Sequence, residues 1–234
     1  DQPRSRGLGD VYKRQMLEEA TELIFRNSIH EMHQTFPQAK YFRQSDLIVF
    51  IISVPKDSRE LLADQLEQTF KRLQSQLSHV SPFTITLGIG QYYENIREIS
   101  KSYSEARLAI NLGYSLQWFD RILFYNRLGL YRLLAPVMNS PESEELCLQY
   151  IKPLEDYDRK YHGELLSTLQ EILQCGWNLK ESAEKLYIHY NSIKYRYSKI
   201  CKVLNLDLSD HDNRSLVEIA MKLYRLKHYK KENQ

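Results

Sequence analysis

The chain has 234 residues, of which 42% are hydrophobic and 26% are charged, and its formal net charge is +2. This composition is typical of a globular protein, and no apolar run is long enough to predict a transmembrane helix or a membrane partner. The three cysteines, Cys147, Cys175 and Cys201, are dispersed and show no CxxC spacing. They argue against a disulfide framework or a zinc cluster, so we expect a cytoplasmic protein with no metal and no cofactor.

The first 15 residues, Asp1 to Gln15, differ from the sequence that follows. They contain four basic residues, two glycines and a proline, with no apolar periodicity and no apolar core of the kind that a secretory signal needs. We expect this segment to be non-native or disordered. The natural protein is expected to extend further upstream, although Met16 is an alternative start.

From Met16 to about residue 135, helical and strand patterns alternate, which predicts an α+β domain of the α/β type. A helix is expected from Met16 to about His33, and Ser58 is expected to cap a second helix that carries apolar residues from Leu61 to Leu77. The other predicted elements are strands at Leu47–Ile52, Phe83–Ile89 and Ile122–Tyr125 and a helix at Ile96–Leu112.

Beyond this point the sequence shows no strand pattern. Prolines and small polar residues around Pro136 and Pro141 predict a domain boundary near residues 136–142, with a linker and helix over 136–160. An all-α domain is expected over 161–230. It begins with an apolar helix from Gly163 to Cys175, which Gly176 ends.

Three features of this last domain predict a helix-turn-helix unit. Asn178, followed by Glu181, forms a capping box that starts a second helix, and Ala183 is small enough to let the next helix cross closely. A turn over residues 188–191 leads into a third helix that ends near Leu204. The buried side of this third helix is predicted to consist of Ile193, Tyr197, Ile200 and Leu204.

The opposite side of the third helix is polar and basic. Between Ile188 and Leu206 there are four basic residues and no acidic one. Such a helix fits the major groove of duplex DNA, where polar side chains meet base edges and cations meet phosphates. The alternative is a solvated basic face. The predicted DNA-binding residues are His189, Tyr190, Asn191, Ser192, Lys194, Tyr195, Arg196, Lys199 and Lys202. For His189, a structural role at the corner between the helices is as open as a contact with DNA. For Arg196, a salt bridge within the domain is as open as a contact with DNA.

The segment LLSTLQEILQCGWNLKESAEKLYIHYNSIKYRYSKICKVLNLDLSD closely resembles the C-terminal helix-turn-helix of the PucR/CdaR regulators. Three positions depart from that pattern, because Ser192 replaces a threonine, Asn205 a glycine and Ser182 an alanine. The matching residues are Asn178, Ala183, Leu186, His189, Asn191, Ser192, Tyr195, Arg196, Ile200, Leu204, Asp207 and Leu208. The resemblance implies an activator or repressor of transcription that binds double-stranded DNA and receives a small-molecule effector through an upstream domain missing from this chain. A homodimer on a two-part site is expected, as for many helix-turn-helix proteins.

Residues 16 to about 135 resemble the GGDEF-like domain that precedes this helix-turn-helix, through the strings FRQSDLIVFI, FTITLGIGQYY and REISKSYSEARLAINLG. The signature turn is degenerate: Gln44 and Ser45 replace both glycines, and Asp46 is the one acid that remains. One carboxylate is too few for a two-metal site, so we expect no enzyme activity. The alternative function is a catalytically dead domain that senses a nucleotide or mediates dimerisation.

Gly88 and Gly90 follow a strand, and a strand-end turn is favoured there over a phosphate loop.

Overall fold

The computed structural model describes residues 4–45, 47–78 and 84–232, and it describes the side chains of these residues except 4–15, 56 and 228–232. The chain forms two compact units that divide between Ile85 and Thr86. This division lies well before the boundary at 136–142 that the sequence suggested. The difference arises because residues 86–135 pack with helices that come later in the chain, as described below. The boundary between domain types at 136–142 stays a prediction.

The first unit consists of two helices and a hairpin. Its elements are α1 (Arg4–Thr35), β1 (Lys40–Gln44), β2 (Leu47–Ile51) and α2 (Leu62–Leu77). The two strands are antiparallel, and Gln44 lies opposite Leu47, so residues 45 and 46 form the turn. Ser45 has a φ of 52°. Asp46, the one acid left in the degenerate signature, lies outside the described residues.

The contact between α1 and α2 contains an ion pair in which the acid is buried and the half-exposed Arg72 reaches solvent. Apolar side chains from both helices, including Met32 and Leu66, are buried there. The Glu31 side chain is only 3% exposed, and its carboxylate accepts hydrogen bonds from Arg72 Nε at 2.9 Å and Gln76 Nε2 at 2.6 Å. The Arg72 hydrogen bond lowers the pKa of Glu31 from its usual value of 4.5, against the opposing effect of burial.

Two predicted boundaries in this region need correction. Helix α1 begins at Arg4 rather than Met16, because a helix that is already formed extends cheaply through residues such as Lys13 and Arg14. Ser58 does not cap α2. It ends a short 3-10 turn that begins at Lys56, and α2 begins at Leu62.

The second unit begins with a small parallel sheet. Strands β3 (Leu87–Ile89) and β4 (Ile122–Phe124) are parallel, and α3 (Ile99–Ser115) packs against them. The third strand is shorter than predicted: residues 84–86 are not in the strand, and Phe83 lies outside the described residues. The two glycines here are packing residues. A Cβ on Gly88 would lie 2.4 Å from the Ala106 carbonyl oxygen, and one on Gly90 would lie 2.0 Å from that of Ser102.

The rest of the second unit is entirely helical. Residues 141–161, predicted as part linker, form two helices, and Pro153 lies in the first turn of the second of them, where it breaks no hydrogen bond. The fold is therefore α+β followed by an all-α region, as predicted. The helices are α4 (Tyr131–Leu134), α5 (Pro141–Tyr150), α6 (Lys152–Tyr161), α7 (Leu165–Gln174), α8 (Leu179–Lys185), α9 (Tyr190–Leu204) and α10 (His211–Glu232).

Two hydrophobic clusters hold the second unit together, and α10 contributes to both. Val217 and Ala220 lie fully buried in a cluster with residues of α5 to α9. Further along the same helix, Leu223 and Leu226 are buried in a cluster with residues of α3, β4 and α4.

Within the described residues, no helix has the length and apolarity to cross a membrane, and no group of three or more His, Cys, Asp or Glu side chains could hold a metal ion.

Candidate nucleic-acid interface

Helices α7 and α8 meet at a turn that the local sequence specifies. Gly176 has a φ of 59°, which a glycine adopts without strain, and α7 ends just before it. Asn178 then caps α8, because its Oδ1 accepts the backbone N–H groups of Lys180 at 3.1 Å and Glu181 at 3.2 Å. The predicted N-cap is confirmed. The second half of the capping box is replaced, since the Glu181 carboxylate pairs with Lys185 at 3.1 Å.

The corner between α8 and α9 is tight. Ala183 is buried, and its carbonyl oxygen accepts the N–H of Ile188 at 3.0 Å. Tyr187, with a φ of 54°, provides the left-handed residue of the turn. His189 is the N-cap of α9, and its Nδ1 accepts the N–H of Asn191 at 3.2 Å. This contact supports the structural role for His189, whose side chain is also exposed.

Helix α9 is amphipathic as predicted. Ile193 and Ile200 are fully buried, and Tyr197 and Leu204 are partly buried in the same cluster. The hydroxyl of Tyr197 donates to the Leu208 carbonyl oxygen at 3.1 Å, which ties the helix to the segment that follows it. Asn205, which stands where the PucR/CdaR pattern has glycine, has a φ of 52°, a left-handed conformation that asparagine tolerates better than most residues.

The opposite face of α9 is open to solvent. The first turn exposes Asn191 and Ser192, and Tyr195 in the next turn is 68% exposed. Lys194 and Lys202 are also exposed, Lys199 partly so. Tyr190 is 45% exposed, and the Lys194 ammonium lies 5.8 Å from the centre of its ring. The structure thus places eight of the nine predicted residues on an accessible surface that runs from the N-cap of α9 to its last turn.

Arg196, the ninth, is engaged within the domain. Its guanidinium lies 2.8 Å from the Glu164 carboxylate and donates to the buried Thr168 hydroxyl at 3.0 Å. These contacts join the middle of α9 to the first turn of α7 and support the intradomain alternative for this residue.

The exposed side of α9 opens onto a cleft of about 690 Å³. One wall is α9 itself, through Asn191, Tyr195 and Lys199. The other wall is the end of α6 and the start of α7, including Tyr157 and His162. The ammonium of Lys199 lies 5.1 Å from the centre of the Tyr157 ring, across the two walls.

The second wall is not predicted by the sequence, in which residues 136–160 have the pattern of a linker and a helix. Three of them, Tyr150, Ile151 and Leu154, are buried in the cluster that also contains Ile193 and Ile200. The spacing of these apolar side chains is the signal that could have revealed that α5 and α6 belong to the same core as α9.

Comparison with known families gives two matches. Residues 165–223 match the PucR C-terminal helix-turn-helix domain, and residues 12–112 match the GGDEF-like domain. The second match begins before Met16, within the segment that was predicted to be non-native or disordered.

Several characterised proteins are similar to this chain. It is 31% identical over 147 residues to the proline-responsive transcriptional activator PutR of Bacillus subtilis, an alignment that covers 62% of this chain and 36% of that protein. It is 24% identical over 199 residues to the DNA-binding transcriptional activator AdeR of the same species, covering 80% and 47%. It is also 24% identical over 163 residues to the carbohydrate diacid regulator of Escherichia coli, covering 69% and 41%. The chain spans less than half the length of each of these relatives.

Proposed function

We propose that this chain is part of a sequence-specific transcription regulator that binds duplex DNA through α9, since residues 165–223 match the PucR C-terminal helix-turn-helix domain and residues 12–112 match the GGDEF-like domain. The observation that supports this most directly is the exposed face of α9. It combines uncharged hydrogen-bonding side chains in the first two turns with cations along its length, on a helix that is held firmly by its buried side.

Within this proposal the residues divide by their chemistry. Asn191, Ser192 and Tyr195 are assigned to base edges, because their side chains donate and accept hydrogen bonds near the start of the helix. The phosphates at the edge of the DNA major groove are assigned to the lysines of α9, Lys194, Lys199 and Lys202, and to the exposed Tyr190 and His189. We assign Arg196 mainly to positioning α9.

We further propose that the whole protein acts as a homodimer on a two-part site, since many helix-turn-helix proteins bind half-sites one helical turn of DNA apart. A small-molecule effector would bind a domain outside this chain. The names of two relatives mention different small molecules, proline for one and carbohydrate diacid for the other.

Selection from a randomised duplex library tests the proposal. The purified chain is mixed with the library at two salt concentrations, and the retained DNA is sequenced. We expect an enriched motif that persists at the higher salt. Retention that vanishes with salt and yields no motif would contradict sequence-specific binding, because phosphate contacts alone are strongly salt-dependent and independent of sequence.

Substitutions on α9 then test the assignment of residues. Lys194→Ala and Lys199→Ala should weaken binding to all sequences and flatten the dependence of log K on log salt by about 0.9 per lost phosphate contact. Asn191→Ala and Tyr195→Ala should instead relax the sequence preference. Lys152→Ala, in α6, is a control for loss of a positive charge. Unchanged affinity and preference in all four α9 variants would refute this placement.

A second function is favoured by the GGDEF-like match: a catalytically inactive domain that senses a nucleotide or mediates dimerisation. The characterised relatives are named as transcription regulators, which fits an inactive domain. Calorimetry of the full chain with GTP and cyclic di-GMP in the presence of magnesium tests nucleotide binding. An absence of binding heat would leave dimerisation, which analytical ultracentrifugation measures directly.

A further inference from the structure

A second element faces the same cleft as the proposed DNA-binding helix. The residues of α9 that are assigned to base edges line one wall, and Tyr157 and His162, at the end of α6, line the other. A helix in the major groove, which is about 12 Å wide, has a phosphate strand on either side of it. The wall formed by α6 therefore lies where it would meet one of those strands.

The end of α6 is held in a fixed conformation. His162 ends the helix with a left-handed backbone, φ 50° and ψ 41°. The carboxylate of Asp158 accepts the backbone N–H groups of Leu165 at 2.8 Å and Leu166 at 2.9 Å, which joins the end of α6 to the start of α7. At Gly163 a Cβ would lie 2.7 Å from the same carboxylate. A surface fixed in this way loses little conformational entropy on binding.

The charges at this junction favour an anion. Its two acids are already engaged, since Asp158 caps α7 and Glu164 pairs with Arg196. Lys160 is exposed, and its ammonium lies 5.1 Å from the centre of the Tyr161 ring. Among the side chains that the structure describes, no carboxylate lies within ion-pair distance of Lys160. His162 lines the cleft, and the exposed Lys160, two residues before it in the chain, has no carboxylate partner among the described side chains that would compete with a phosphate.

We propose that the end of α6 is a second DNA-contacting element, in which Lys160 and His162 bind the phosphate backbone of the strand beside α9. This inference rests on the proposed function and extends the interface beyond the residues that match the helix-turn-helix family. Contacts to phosphate fix orientation without reading sequence, so this element would set the angle at which α9 enters the groove.

The test compares Lys160→Ala with Lys152→Ala, a lysine at the opposite end of the same helix. The affinity of the full chain for its selected duplex is measured between 50 and 200 mM salt. Lys160→Ala should flatten the slope of log K against log salt by about 0.9, equally for all sequences. The loss of affinity between 50 and 200 mM salt should then be about 3.5-fold smaller than in the wild type. Lys152→Ala should keep the wild-type slope. Equal slopes for wild type and both variants would overturn the inference while leaving the binding by α9 intact.

His162→Gly provides a second measurement, because glycine keeps the left-handed turn while removing the imidazole. We expect the affinity to fall about tenfold, the effect of losing one hydrogen bond to a charged group. Wild-type affinity in this variant would count against a role for His162. Should the wild-type chain bind no duplex at low salt, the proposed function itself fails, and that result appears before any variant is made.

Discussion

Glu164 and Arg196 form an ion pair, at 2.8 Å, between the residue that precedes α7 and the middle of α9. The same guanidinium donates to the hydroxyl of Thr168, which is fully buried. The first helix of the helix-turn-helix thus fixes the orientation of the third through one side chain. A cation for which the sequence allows both a DNA contact and an intradomain salt bridge is therefore paired within the domain.

Arg196→Ala should therefore reduce stability more than it changes electrostatic contact with DNA. We expect a loss of about 1 kcal/mol, since Glu164 is largely exposed and solvent weakens the pair. Urea denaturation measures the loss, and the salt slope of DNA binding should stay within experimental error of wild type. Glu164→Gln is the matched variant and should lower stability similarly. A slope flattened by about 0.9 in Arg196→Ala alone would instead identify a phosphate contact.

Asn178→Ala should destabilise the helix-turn-helix by about 1 kcal/mol, because two N–H groups at the start of α8 lose their acceptor. The free energy of unfolding in urea gives the effect. Asn178→Asp keeps an acceptor oxygen and should retain nearly all the stability. If alanine and aspartate behave alike, the cap contributes nothing measurable.

Gly90→Ala should destabilise the second unit by about 1–3 kcal/mol, because the new methyl group would collide with the backbone of α3 at Ser102. Gly129→Asn is the control. Gly129 has a φ of 58°, which asparagine tolerates, and open space around the position of a Cβ. Thermal unfolding should separate the two variants. A tolerated Gly90→Ala would reopen the possibility that this glycine is kept for a ligand.

Acid should weaken the first unit through Glu31. Because folding lowers the pKa of this carboxyl, its contribution to stability is fully present above its usual value of 4.5 and is lost as the pH falls through the lower folded value. Unfolding of wild type and Glu31→Gln is compared between pH 7 and pH 3. The difference in stability should shrink as the pH falls. The exposed Glu22→Gln is the control, and an equal pH effect there would exclude a special role for the buried Glu31 carboxyl.

The helix-turn-helix could be predicted from the sequence because its determinants are local. Asn178 as a cap, Gly176 as a stop and the apolar spacing from Ile193 to Leu204 each act within a few residues. The structure confirms all three. The surface of α9 follows directly, since the buried stripe determines which side chains remain outside.

What could not be predicted depends on contacts between distant residues. Whether Arg196 faces DNA or Glu164 is decided by how α7 crosses α9, and the sequence left both possibilities open. Leu154 and Ile193 lie far apart in the chain but in one core, so α6 was not expected to face the cleft. The early start of α1 and the short β3 likewise show that residue propensities predict the presence of a helix or strand better than its first and last residues.

Helix α10 belongs to two hydrophobic clusters at once, with Val217 in one and Leu226 in the other. This has a consequence for attempts to exchange parts between related regulators. A chimera that joined the α3 and β4 of one protein to the last helices of another would make a single helix pack against two foreign surfaces. Leu226 lies beyond the end of the family match at residue 223, so a graft cut at that limit would leave a cavity in the cluster that contains Leu112 and Leu123. Successful transplants should be those that carry α3, β4 and α10 together.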